Sequence, residues 1–182
     1  NHAWVEVWID GKWRFLGACE PEATLDRGWF NWAASRAMLV RAFDYEGNSI
    51  STTTTYAPVK TLNVKVVDEN GMPIKNATVD FRLYNYSEFY PLHTVKTDAE
   101  GCAAFQTGYG DLQVWVSAGN RYGAMKADAY TTTMTITPNR KTGCEWTEQY
   151  DWHVPTTVLQ EPDRSIVDTV SANGRRLMRE DS

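Results

Sequence analysis

The sequence is short of cysteine, of positive charge and of long apolar runs, and each shortage removes a class of function. Its three cysteines, Cys19, Cys102 and Cys144, are scattered and show no Cys-x-x-Cys spacing. Such a set gives neither a disulfide framework nor a zinc site, although one disulfide between an unspecified pair stays open. Lysine and arginine number 18 against 23 aspartates and glutamates, a net charge of −5. No basic stripe is present to neutralise phosphates, so nucleic acid is not an expected partner. No apolar run approaches the ~18 residues that a membrane-crossing helix needs, and no membrane span is expected. His93 and His153 stand alone, without metal-ligand spacing, which favours structural roles. No metal and no cofactor is expected.

What is abundant is aromatic surface, with eight tryptophans and nine tyrosines. Such content serves a sugar-binding face in some proteins, but half-buried β-sheet surface is the commoner use. The ends read as those of a piece of a longer protein. The chain opens without Met or leader, directly into the strand-like run Asn1-His2-Ala3-Trp4-Val5-Glu6-Val7-Trp8, and stops in the charged stretch Arg179-Glu180-Asp181-Ser182.

Three regions emerge from the rhythm of the residues: 1–57, 58–138 and 139–182. In the first, Ala3 to Ala18 predicts a β-hairpin, because Asp10-Gly11 is the pair a two-residue type I′ turn prefers. Trp29 to Met38 suits a short helix, and Leu39–Tyr45 and Ser51–Tyr56 read as strands around a Glu46-Gly47-Asn48 turn. Tyr56-Ala57-Pro58 is the best boundary. From Lys60 to Pro138 about seven short strands separated by turn signals predict a β-sandwich, with Leu62, Val64 and Val66 on its inner side. Beyond Pro138 the pattern loosens into an extended, partly helical tail. Trp146, Tyr150, Trp152 and Val154 suit an arm that docks, and Ile166–Met178 has weak helical character. The fold class is thus mainly β.

The run His2-Ala3-Trp4-Val5-Glu6-Val7-Trp8, with Asp10-Gly11-Lys12-Trp13-Arg14-Phe15-Leu16, resembles the second half of the transglutaminase-like core. That superfamily includes transglutaminases, peptide N-glycanases and bacterial cysteine-peptidase relatives. Its pattern is a His on one strand, an aromatic two residues on, a Gly-x-Trp turn, and an Asp ending the next strand. Trp29-Phe30 through Ala33-Ala34-Ser35-Arg36-Ala37-Met38 resembles the segment after the His strand in transglutaminase-like proteins of Bacteroidetes. The resemblance covers about the first 45 residues. It implies that His2 is the remnant of the family base, that an upstream catalytic half carries the nucleophilic Cys, and that the substrate is a protein or glycan. It also implies a bacterial, exported protein.

Hairpin pairing bears on that resemblance. With Asp10-Gly11 as the turn, Trp8 faces Trp13, Glu6 faces Phe15, Trp4 faces Gly17 and His2 faces Cys19. The family's orienting Asp falls at Gly17, so that carboxylate is missing. Cys19 is one replacement candidate, since a Cys–His pair can carry nucleophilic chemistry, but a small buried cysteine is the commoner explanation. Glu20 is another, although alternation points it to the opposite face unless a bulge intervenes. Glu6 shares the face of His2 but lies two pleats away. Thiol catalysis needs a thiolate, an imidazole and an oxyanion donor together, so this chain by itself is not expected to be an enzyme.

The second region carries a further resemblance. Val67-Asp68-Glu69-Asn70-Gly71-Met72-Pro73-Ile74-Lys75-Asn76-Ala77-Thr78-Val79, with the later Thr97-Asp98-Ala99-Glu100-Gly101, looks like the two signature turns of a carboxypeptidase-regulatory-like or transthyretin-like sandwich. Val79 and Phe105 then belong to its core. Some collagen-adhesin relatives of that fold carry an intramolecular Lys–Asn bond, which needs a buried lysine on the first strand. Lys65 alternates with Val64 and Val66 and points outward, so no such bond is expected. The alternative to a spacer is a glycan- or protein-binding module displaying Tyr84, Tyr86, Phe89, Tyr90 and Trp115.

Overall fold

The computed structural model describes residues 2–16, 23–27, 33–43, 46–85, 88–141 and 178–181. The described residues fall into two compact units, one of residues up to Val59 together with 178–181, the other beginning at Lys60.

In the first unit, β1 (His2–Ile9) and β2 (Lys12–Leu16) form the expected hairpin, with Glu6 opposite Phe15 and Trp8 opposite Trp13. Asp10 and Gly11 both have positive φ, 53° and 77°, the left-handed pair that a type I′ turn requires. Trp8 and Trp13 meet edge to face across the strands at 5.4 Å. β3 (Val40–Phe43) and β4 (Ser49–Ser51) come next, and the sheet order is β2-β1-β13-β3-β4, with β13 (Met178–Asp181) inserted between β1 and β3. Sequence periodicity did not reveal β13, and Met178, assigned there to weak helix, begins a strand. Four residues with charge at three positions carry no alternation to read.

The outer edge of β2 is closed by one carboxylate. Asp26 Oδ1 accepts the Phe15 N–H at 2.8 Å, the Asp26 N–H donates to the Phe15 carbonyl at 3.3 Å, and Asp26 Oδ2 holds Arg14 Nη1 at 2.6 Å. Over the described part of the expected 29–38 helix there is a single tight turn, with Ala33 and Ala34 carbonyls accepting the Arg36 and Ala37 N–H groups. Residues 28–32 lie outside the described residues.

Ser51–Tyr56, read as a strand, is a correction: β4 stops at Ser51 and α1 (Thr53–Tyr56) is one helical turn. Four consecutive threonines favour extended backbone, but tertiary contacts override them. Thr53 Oγ1 accepts the Val40 N–H at 2.9 Å, and the turn carries Tyr56 into a core of Trp4, Phe15, Ala34, Ala37, Val40 and Ala57.

The second unit is a two-layer sandwich. One layer has the order β11-β5-β8, formed by β5 (Lys60–Val66), β8 (Cys102–Thr107) and β11 (Thr133–Ile136), with β11 parallel to β5. The other has the order β12-β10-β9-β6-β7, from β6 (Thr78–Asn85), β7 (Glu88–Lys96), β9 (Leu112–Ala118), β10 (Arg121–Ala127) and β12 (Arg140–Lys141). The two-residue β12 is an eighth strand beyond the seven expected. β5 alternates buried and exposed without a break, so that Leu62, Val64 and Val66 are buried, as are Val79, Phe81, Val114 and Val116 of the other layer. Each such side chain contributes roughly 1.5–3 kcal/mol through removal from water.

The two Asp-x-x-Gly turns are built alike. Asp68 Oδ1 accepts the Asn70 and Met72 N–H groups, and Asp98 Oδ1 accepts those of Glu100 and Cys102. Gly101 has φ +73°, and a Cβ there would stand 2.5 Å from the Val66 carbonyl, so only glycine fits between the turn and β5.

Candidate functional site

Three places combine chemistry with geometry. The first lies under the hairpin. Glu6 is 4% exposed, and its Oε1 accepts hydrogen bonds from Trp4 Nε1 at 3.1 Å and from the Tyr56 hydroxyl at 2.8 Å. Trp4 and Tyr56 also meet edge to face at 5.7 Å. A buried carboxylate is tolerated only when it is hydrogen-bonded, and here its acceptor joins β1 to α1. Its role is to organise the core.

The second is Lys60, the residue that sequence reasoning missed. Strict alternation along β5 places it on the same side as Leu62, and it is 6% exposed. Lys65, as expected, points out; the buried lysine of the first sandwich strand is Lys60 instead. Its Nζ donates to the Asp128 carbonyl at 2.5 Å. Burial lowers its pKa to about 8, against the opposing pull of the Asp128 and Asp111 carboxylates. Asp128 caps its own turn by accepting from the Thr131 hydroxyl and the Tyr130 and Thr131 N–H groups, which holds its carboxyl below the usual range. Asp111 Oδ2 lies 2.8 Å from Lys126 Nζ. The signal available in the sequence was the alternation itself, carried one pleat back from Leu62.

The third is an open cleft of about 660 Å³ on the solvent side of the three-stranded layer. Asn63 and Lys65 form its middle, Cys102 and Ala104 one wall, Thr133 and Thr135 the other, with Asp98 at one end. Lys65 and Cys102 are direct cross-strand partners. Cys102 is a free, exposed thiol.

Of the residues singled out in the sequence, His2 is the first residue of β1, and its backbone partner across β13 is Asp181. Gly17, Cys19 and Glu20 lie outside the described residues, as do Tyr86, Cys144 and His153. His93 is half-buried on β7 and stacks on Phe105 at 4.9 Å and on Phe81 at 6.4 Å. Of the aromatics of the binding alternative, Tyr84, Phe89, Tyr90 and Trp115 are among the described residues. Trp115 lies against Tyr122 at 4.4 Å on one side with the Arg82 guanidinium 4.7 Å from its ring centre, Tyr84 tilts onto Phe89, and Tyr90 is exposed. Among the described residues no group of three or more His, Cys, Asp or Glu is placed to hold a metal ion, and no helix is long and apolar enough to cross a membrane.

No family model and no curated protein matches the chain, so neither sequence resemblance finds a matching family there. A solved structure described as a streptococcal ancillary pilin is similar over 70% of this chain and 41% of the pilin chain, at 12% identity and a TM-score of 0.35. A likeness at that level carries no argument about function.

Proposed function

We propose that the chain is a non-catalytic part of a transglutaminase-like protein, in which the β-sandwich spaces or positions a substrate for a catalytic half lying upstream. The functional division is residues 1–57 as core remnant, 58–138 as sandwich and 139–182 as tail, in an exported bacterial protein. The observation that carries this reading is the hairpin: β1 starts at His2, and Trp8 pairs with Trp13 across an Asp10-Gly11 turn. Glu6, the carboxylate nearest in sequence on that strand face, is committed to Trp4 and Tyr56 and supports the core rather than chemistry.

The test compares the 182-residue chain with a longer protein carrying the upstream half, in amide hydrolysis and transamidation of a glutamine-containing peptide. The longer protein is expected to turn over and to lose activity in H2A, while the chain alone does neither. Cys19-dependent turnover by the chain alone, or full activity of the longer H2A protein, refutes the proposal. The second reading, a protein-binding surface module, is favoured by the open cleft over Lys65.

A further inference from the structure

A sheet edge exposes unpaired N–H and C=O groups, and folded proteins guard such edges by shortness, charge, proline, bulges or a covering group. Five of the six edges among the described residues carry such a device. β2 has Asp26 bound to both backbone groups of Phe15. β4 and β12 are three and two residues long. β7 contains Pro91, and its pairing with β6 breaks register at Phe81/Arg82. β11 is four residues long, and the chain at its end presses on β10, where a Cβ on Gly123 would lie 2.8 Å from the Thr137 carbonyl.

β8 carries none of these devices in its own residues, although β7 of the facing layer runs near it. Its six residues, Cys-Ala-Ala-Phe-Gln-Thr, include no charge and no proline, and its pairing with β5 is regular throughout. The direction of its free groups is set by the ladder. The Val66 N–H donates to the Gly101 carbonyl, so Ala103 and Phe105 bond inward to β5, while Cys102, Ala104 and Gln106 face out. Both outward groups of Cys102 are taken by Asp98. The N–H and C=O of Ala104 and Gln106 form the open stretch, four groups in all.

The cleft lies beside this stretch. The short side chains of Cys102 and Ala104 leave Lys65 uncovered, and among the described residues Lys65 makes no ion pair. We propose that the β8 edge is a docking site for an extended acidic segment of another protein, which adds as a further strand at Ala104 and Gln106 and sets a carboxylate beside Lys65. A residue of such a strand opposite Ala104 lies two strand spacings across and two residues along from Lys65, roughly 12 Å on the diagonal, which a lysine and a glutamate side chain extended toward each other bridge. Charge complementarity selects this occupant over a second copy, because β8 of a second copy brings no carboxylate to Lys65. Main-chain bonds supply the attachment and the charge supplies the choice of sequence. The inference concerns the sandwich alone and is independent of a transglutaminase-like parent.

The probe is a capped eight-residue peptide of alternating threonine and valine with one central glutamate, titrated into the full chain and followed by backbone amide NMR. Shifts and slowed exchange are expected at Ala104 and Gln106. Replacing the glutamate by glutamine, or Lys65→Gln in the chain, is expected to weaken binding at least fivefold, with little further loss when both are made. Ala104→Pro removes an outward N–H and should abolish binding; K65Q keeps the test decisive if that variant does not fold. Absence of β8 shifts at millimolar peptide, equal binding of the glutamine peptide, or a β8-protected dimer of the chain that dissociates on dilution would each overturn the proposal.

Discussion

Replacing Lys60 by methionine tests whether its amine is truly held in the interior. The folded-state pKa of about 8 lies below the ordinary 10.5, because burial disfavours the charged form. Between those values the unfolded chain binds more protons than the folded one, so stability contributed by this group rises with pH across the window and is flat below it. With 1.36 kcal/mol per pH unit, the wild-type sandwich gains on the order of 2–3 kcal/mol between pH 7 and pH 10 from Lys60 alone. Tyrosines and the other lysines titrate in the same range, so the quantity to read is the difference between wild type and K60M. K60M lacks the titrating amine, and its advantage over wild type should shrink by that amount as pH rises. Urea unfolding at constant ionic strength, with amide exchange at Leu62 and Val64 as a readout of the sandwich alone, measures it. A difference that stays constant from pH 7 to pH 10 would falsify the claim that the amine is desolvated.

Single contacts set further outcomes. Gly101→Ala should cost more than about 2 kcal/mol, since it adds a left-handed strain to a 2.5 Å approach to Val66, and chemical denaturation checks it. Tyr56→Phe leaves the buried Glu6 short of one donor and should cost about 1–3 kcal/mol, read by loss of exchange protection in β1. Phe105→Ala removes a ring packed at 4.9 Å on both Phe81 and His93 and should cost about 3–5 kcal/mol in denaturant titration. Asp26→Ala reopens the β2 edge, and faster exchange of the Phe15 amide with concentration-dependent association is the expected result.

Much of the fold was legible because its signals are local. The Asp10-Gly11 turn set the hairpin register, and the alternation of Leu62, Val64 and Val66 gave the inner face of β5. The paired Asp-x-x-Gly turns marked where strands end. What was not legible depended on distant partners. The threonines of 52–55 turn into a helix only because Thr53 meets Val40 and Tyr56 meets Glu6. β13 is a strand through its neighbours β1 and β3, with no pattern of its own. Lys60 was hidden by expectation rather than by physics, since a charged residue at a strand start is normally assigned to solvent. The candidate catalytic set remains unjoined: His2 is placed in β1, while Gly17, Cys19 and Glu20 lie outside the described residues.

The parallel pairing of β11 with β5 has a mechanical consequence. β5 opens the sandwich at Lys60, β11 runs beside it to Ile136, and the two point the same way. Tension applied at the start of β5 and the end of β11 therefore pulls the strands past each other along their length. The evenly spaced bonds of a parallel ladder then share the load and must yield together, whereas a hairpin pulled from its open end parts one bond at a time. Load placed across this pair is therefore carried by the whole β5–β11 ladder at once.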